Sequence, residues 1–419
     1  MGKTIVEKIL SAHAGRDLIA GDFAICEVDF CFGQDGTSAI IIDRIKALGV
    51  TKLANKDKFC MVIDHSSPSP NTGVSKVHSK MRSFAAEFNL KIYDIGCGVC
   101  HEVVPTEGNV LPGDLVLGAD SHTCTYGAIG ALSCGVGSTD LAVSLASGKN
   151  WFRVPETIKI EINGKLPKGV YAKDLILYII GDLGANGATY KAVEFYGSTI
   201  DNLSLDGRFT MSNMVVEMGA KCAFFPVDKK VLEWVKARRI NRKAKVYKAD
   251  SDVKYCLVKK YDAEKVTPQV ARPHTVDNVV SLKEVKGKRI DEAFLGTCTN
   301  GRLDDLKVAA KILKGRKINP GVKFIVAPAS RRIYLEALKL GLIDIFIKAE
   351  AVVISPGCGP CVGTHMGIPS DKEVVISTAN RNFKGRMGNP ESEIYLASPA
   401  TVCASAVTGK ITDPRGFLK

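Results

Sequence analysis

From residue 276 onward, strand-like runs alternate with amphipathic helical stretches in regular succession. That alternation restricts this part of the chain to a parallel sheet covered by helices. Ala293–Leu295 reads as a strand and Leu303–Leu313 as an amphipathic helix. Lys323–Ala327 is a second strand, Arg331–Leu340 a helix stopped by Gly341, and Val352–Ile354 a third strand. Consecutive βαβ units cross over right-handed and give a doubly wound sheet, whose functional groups lie beyond the carboxyl ends of its strands.

The N-terminal region repeats the pattern. Phe23–Phe30, Phe59–Ile63 and Leu115–Gly118 read as strands, and Ser38–Ala47 and Val74–Phe88 as helices. A new strand, Ile158–Ile162, follows Trp151–Arg153, and the middle section holds a helix over Ala172–Gly181 before the polar connection Arg272–Thr275. These breaks predict three α/β units, 1–154, 155–275 and 276–419. The chain has 419 residues, 46% of them hydrophobic, with 39 glycines and only 7% aromatics, which suits an α/β enzyme with many tight connections.

A formal charge of +13 predicts an electropositive surface or cleft able to hold small polyanions. The densest basic stretch, Lys236–Lys260, includes Arg238, Arg239, Arg242, Lys243 and Lys245 but few aromatics, so a solvated face is favoured over nucleic acid. No apolar run approaches the ~18 residues of a membrane span. The start MGKTIVEKIL has no apolar signal core. Cytoplasm is therefore the expected compartment. There, thirteen cysteines are expected to be buried, catalytic or metal-bound rather than paired.

Two loops place cysteine directly after a predicted strand. Gly296–Gly301 carries Cys298, and Ser355–Gly363 carries Cys358 and Cys361 in a glycine-rich setting. An electron-transfer [4Fe-4S] cluster has four cysteine ligands, whereas three would leave one iron open to substrate. A lone C-x₂-C also suits half of a structural zinc site or two buried thiols. A second such pair, Cys97 and Cys100, is followed by His101, which matches a c-type haem attachment motif. Of seven histidines, three lie in loops near acids or cysteines: His65 after Asp64, His101 after Cys100, and His122 in Asp120-Ser121-His122. An acid beside a histidine orients it and favours its protonated form, as proton delivery to a leaving hydroxyl requires. Gly130–Gly137 lacks a complete dinucleotide fingerprint.

These features extend into long motifs: GQDGT at 33–37, IDH at 63–65, GADSHTCTYGAIGA at 118–131, and SNMVVEMGAK at 212–221. GTCTNGRLDDL at 296–306, PGCGPCVG at 356–363 and TANRNFKGR at 378–386 continue the series. On them the chain resembles the aconitase superfamily over essentially its whole length. The resemblance is closest to the large subunits of the isopropylmalate isomerase and homoaconitase type. It implies a three-domain α/β/α core built on doubly wound sheets, without the fourth, swivel domain. It also implies one [4Fe-4S] cluster with three ligands, Cys298, Cys358 and Cys361, and one open iron. By the same resemblance Asn213 and Asn380 lie beside the cluster, and Asp64, His65, His101, Asp120, His122 and Glu217 form the catalytic set. Gln34, Ser121, Arg381 and Arg386 contact substrate. Gln34 is similar to aconitase itself, where many isopropylmalate isomerases carry His, and Glu102 stands where relatives more often have Gln.

The implied activity is reversible dehydration, with or without isomerisation, of a 2-hydroxy-diacid of the 3-isopropylmalate kind. 2,3-Dimethylmalate and homocitrate/homoaconitate remain alternatives, and a cluster-dependent RNA-binding regulator is the reading from another class. The base, an arginine and part of the specificity loop are expected on a separate small, swivel-domain subunit.

Overall fold

The computed structural model describes residues 2–238 and 242–418. The expected strands, joined by others that the sequence did not mark, assemble into three largely or wholly parallel sheets. In the first, of five parallel strands, Phe30–Gln34 is central. Phe59–Val62 and Lys91–Tyr93 lie to one side of it, and Leu115–Gly118 and Leu132–Gly135 to the other. The second, also parallel, runs Cys222–Phe224, Ala192–Tyr196, Thr157–Asn163, Leu257–Asp262. The third has seven strands. Glu292–Gly296 is flanked by Lys323–Ala327 and Val352–Val353 on one side, and by Val374–Ser377 and Glu393–Ala397 on the other, all parallel. Gln269–Ala271 and Val279–Ser281 add an antiparallel margin.

Parallel strands buried on both faces are nearly all apolar, and Glu292–Gly296 and Leu115–Gly118 are buried at every residue. Helices supply the cover. Leu303–Leu313, expected over the same residues, buries Leu306, Ala309, Ala310, Ile312 and Leu313 at helical spacing. In the first and third sheets the strand order reverses beside a central strand, between Phe30–Gln34 and Leu115–Gly118 and between Glu292–Gly296 and Val374–Ser377. Loops splay apart at such reversals, which makes the crevice there the natural ligand site.

One expected strand divides. Phe23–Phe30 is two strands in two sheets. Phe23–Glu27 alternates exposed and buried residues and pairs antiparallel with Lys149–Arg153 as a surface ribbon. Phe30–Gln34 is buried throughout. The backbone breaks at Val28-Asp29, whose N–H groups bond to Gly148 and Leu115 and redirect the chain inward.

Of the basic stretch, Arg239 lies outside the described residues. Arg242 pairs with Asp114 at 2.9 Å and Lys259 with Asp182 at 2.9 Å, so part of this charge is held by acids on the fold. Among the described residues no helix is long and apolar enough to cross a membrane.

Candidate active site

Both cysteine loops reach the same space from the third sheet. Gly296 ends its strand so close to the neighbouring one that a Cβ there would meet the Ala327 carbonyl oxygen at 2.6 Å. Thr297 follows in the left-handed region with φ 74°, which turns the chain into the short helix carrying Cys298. The second loop docks on the first sheet: the Cys358 N–H donates to the Asp64 carbonyl at 2.8 Å, and Cys361 N–H to the Cys358 carbonyl at 2.8 Å.

All three thiols are buried, and nitrogen donors are aimed at two of the sulfurs. Asn213 Nδ2 lies 3.3 Å and Asn380 Nδ2 3.8 Å from Cys298 Sγ, and Arg386 Nη2 lies 3.3 Å from Cys361 Sγ. The two asparagines also bond to each other at 3.2 Å. Burial pushes the Cys298 thiol up to about 12 and raises Cys358 as well. Bare, Cys298 and Cys358 would stay protonated at neutral pH, and a bound metal centre would hold them as thiolates. Buried sulfurs met by N–H donors are the donor set an iron–sulfur centre requires, so the residues present fit such a group. The competing pair lies to the acid side. Cys100 is buried with its N–H on Asp64 Oδ2 at 2.6 Å, and Cys97 is half-buried.

Opposite the thiols, three histidines meet on one carboxylate. Asp120 accepts from His101 Nε2 at 2.8 Å, lies 3.3 Å from His65 Nε2, and takes the His122 backbone N–H at 2.8 Å. The other nitrogen of His65 bonds to Asp64 at 2.8 Å. His122 Nε2 bonds to Glu217 Oε1 at 2.7 Å, and the Arg381 Nε donates to that same oxygen at 2.8 Å. Arg381 Nη1 then donates to Ser121 Oγ at 3.0 Å. Asp64, His65 and Cys358 offer ligand atoms within 4.8 Å of one another, so acid side and thiol side are in contact.

The electrostatics follow from this packing. Burial alone would push His65 down, but the charge of Asp64, hydrogen bonds to Asp120 and Asp64, and Cys358 once it is held as a thiolate outweigh it and hold the imidazole well above its ordinary value. Burial would likewise raise Asp120, yet His101 together with hydrogen bonds from three histidines holds it well below the carboxylate range. Glu217 is held low against burial by His122 and Arg381.

Gln34 is placed differently from the other chosen residues. Its carboxamide oxygen turns back to accept from the Gly36 N–H. Sequence reasoning missed Asp35, one residue on. Its buried carboxylate accepts from the N–H groups of Asp64, His65 and Ser66 at 3.0, 2.7 and 2.9 Å, and from His78 Nε2 at 3.2 Å. Arg302 was also missed as a site residue, although it stands four residues from Cys298 in a quoted motif. It is 1% exposed and pairs with Glu102 at 2.7 Å.

The family model "Aconitase family (aconitate hydratase)" matches residues 7–289 and 283–409. The chain belongs to the aconitase family. It is 51% identical over 420 residues to the 3-isopropylmalate dehydratase large subunit 1 of Thermotoga maritima, with 100% of each chain covered. Identity is 51% over 418 residues to large subunit 2 of Archaeoglobus fulgidus, again covering 100% of each. It is 46% over 419 residues to large subunit 1 of Methanopyrus kandleri, also with 100% of each covered. The holo-form crystal structure of aconitase X from Thermococcus kodakaraensis shares the fold, with TM-score 0.52 at 13% identity, covering 90% of this chain and 89% of that one. This aconitase-family chain is therefore a hydro-lyase of a group whose dehydratases use an iron–sulfur cluster.

Proposed function

We propose that this chain is the catalytic large subunit of a hydro-lyase that removes water from a 2-hydroxy-diacid of the alkylmalate type, with 3-isopropylmalate as first substrate. The observation carrying this reading is the meeting of His65, His101 and His122 at Asp120, with Cys358, one of the three buried thiols, within reach of His65. The full-length likeness to 3-isopropylmalate dehydratase large subunits supports the substrate class. Homocitrate/homoaconitate and 2,3-dimethylmalate share the same hydroxy-diacid core and are the alternatives.

Cys298, Cys358 and Cys361 would hold one [4Fe-4S] cluster, with Asn213 and Asn380 donating toward the Cys298 sulfur. With one iron free of protein sulfur, the bound cluster supplies a Lewis acid to the leaving hydroxyl. His65, held at both nitrogens by Asp64 and Asp120, keeps a proton and delivers it to that hydroxyl. His101 and His122 hold Asp120 charged and so hold His65 in place. Glu217 and Ser121 orient Arg381, whose remaining N–H groups take a substrate carboxylate. Arg386 borders the same region from Cys361, and the substrate role of Gln34 rests on the family resemblance alone.

The base for the neighbouring carbon is assigned to a small, swivel-domain subunit, as the large-subunit names of the relatives suggest. Residues 1–154, 155–275 and 276–419 are taken as the three domains around the site. The compartment assigned to the enzyme is the cytoplasm, where cysteines stay reduced or bind metal. The test is anaerobic reconstitution with iron and sulfide, followed by assay of alkene formation with and without a small subunit. The expected outcome is turnover only with both chains, fastest on 3-isopropylmalate. Full-rate turnover by this chain alone overturns the two-subunit assignment, and no turnover of any panel substrate by the loaded pair overturns the reaction.

A further inference from the structure

Arg302 makes no contact that the proposed reaction requires, yet it is among the most deeply buried charges in the protein, at 1% exposure. Its Nη1 donates to the carbonyl oxygen of Cys298. Its Nη2 reaches the carbonyl oxygen of His101 at 3.4 Å. Nε lies 2.7 Å from Glu102 Oε2, itself 4% exposed, and the guanidinium sits 4.5 Å from the centre of the Phe209 ring. One rigid, planar cation, 201 residues from His101 in the sequence, thus ties two distant segments together. One carries a proposed cluster thiol and the other a histidine bonded to Asp120.

Stability alone explains this poorly. A buried ion pair is often no better than apolar residues of the same volume, because desolvating both charges cancels most of their attraction. What the guanidinium adds is geometry: its fork of donors is fixed, so two carbonyls that bond to it are held at a set separation. We propose that Arg302, balanced by Glu102, is a positioning residue that fixes the Cys298 loop against the His101 helix and so sets the spacing between cluster and proton-transfer network. This rests on the reading that Cys298 holds the cluster. The balance of charge matters too. Unbalanced positive charge beside a thiolate ligand favours the reduced cluster, since net charge and hydrogen bonding tune its potential.

The test uses the reconstituted chain with its small subunit and four variants: Glu102→Gln, Arg302→Lys, Arg302→Met, and the double apolar replacement Glu102→Leu/Arg302→Met. Iron and sulfide per chain, cluster half-life in air, midpoint potential, kcat and KM are measured for each. Glu102→Gln should keep full iron content, raise the midpoint potential, and lower kcat several-fold with little change in KM. Arg302→Met should shorten the cluster half-life and lower kcat, each by tenfold or more, and Arg302→Lys should recover part of both.

The double replacement separates positioning from mere charge balance and remains informative if Arg302→Met fails to fold. It removes both charges, so it should fold and bind iron while its kcat stays at least tenfold low. A double variant with wild-type kcat, potential and half-life overturns the proposal, as does an Arg302→Met protein with all three unchanged. A wild-type chain that binds no iron is a different result, because it removes the cluster reading itself.

Discussion

The backbone N–H of His65 donates to the carboxylate of Asp35 at 2.7 Å, across thirty residues of sequence. The same carboxylate takes the N–H groups of Asp64 and Ser66, so the segment carrying the proposed acid is pinned at three consecutive residues. Replacing Asp35 with Ala would leave three main-chain donors without their acceptor, of which Asp64 N–H is buried and would cost about 1–3 kcal/mol, the two part-buried ones less. Asp35→Ala is expected to lower the thermal midpoint and cut kcat by about a hundredfold or more. Iron content should fall less than kcat, because the Cys298 loop is anchored elsewhere and only the Cys358 loop leans on the Asp64 carbonyl. Thermal melts, iron assay and steady-state kinetics on one preparation check this, and a variant with normal kcat removes Asp35 from the supporting frame.

Glu217 gives a pH signature of known sign. Its folded value lies below the ordinary carboxylate range because His122 and Arg381 outweigh burial. A depressed carboxylate contributes stability that is present above its unfolded value near ~4.3 and is lost as pH falls through the lower folded value. Glu217→Gln should therefore be less stable than wild type by about 1–3 kcal/mol at neutral pH, where it loses the ion pair with Arg381 and weakens the hydrogen bond to His122. The two proteins should converge as the pH drops toward ~3. Denaturant unfolding at both pH values is the measurement, and a gap that persists in acid contradicts the assigned ion pairing.

Much of the scaffold was legible because its cause is local. Ser38–Ala47, Leu303–Leu313 and Lys323–Ala327 form over the expected residues, since periodic apolar side chains declare a helix face or a buried strand. Phe23–Phe30 misled for the same reason: strand propensity is continuous across it, while the break at Val28-Asp29 comes from distant carbonyls at Gly148 and Leu115. The site divides similarly. His65, His101 and His122 stand out beside acids and cysteines in the sequence, and the fold brings them to Asp120. Asp35 and Arg302 carry no such mark, because their partners are main-chain groups far away in sequence. GQDGT and GTCTNGR contained both residues, but only the fold supplies the atoms they hold.

The thiols predict a clean division between the two C-x₂-C pairs. Cys298, Cys358 and Cys361 are buried where nitrogen donors converge on sulfur, whereas Cys97 is half-buried beyond the acid side. Cys298→Ser should lose most of the iron and sulfide after reconstitution, and with them the cluster's visible absorbance. Cys97→Ser should retain both at wild-type stoichiometry. If Cys97→Ser loses its iron while Cys298→Ser keeps it, the ligand set belongs to the other pair.

Lys173 supports the turn that presents Asn380 and Arg381. It is 1% exposed, and its ammonium donates to the carbonyl oxygens of Thr378 and Ala379 at 2.9 and 2.6 Å. Burial pushes it down to about 7. It also stands in the first turn of the helix Ala172–Leu183, where the helix dipole disfavours a cation. Neither setting favours a lysine for the helix's own sake, so its contribution lies in the two carbonyls it holds. Lys173→Met keeps the apolar stem and removes only the donor, leaving two buried acceptors unmet at about 1–3 kcal/mol each. The turn then loosens where Arg381 is proposed to take a carboxylate. KM should rise about tenfold, equivalent to about 1.4 kcal/mol of substrate binding, with a smaller fall in kcat. Kinetics and thermal melts on the loaded enzyme check it, and a variant that is destabilised with unchanged KM confines Lys173 to a structural role.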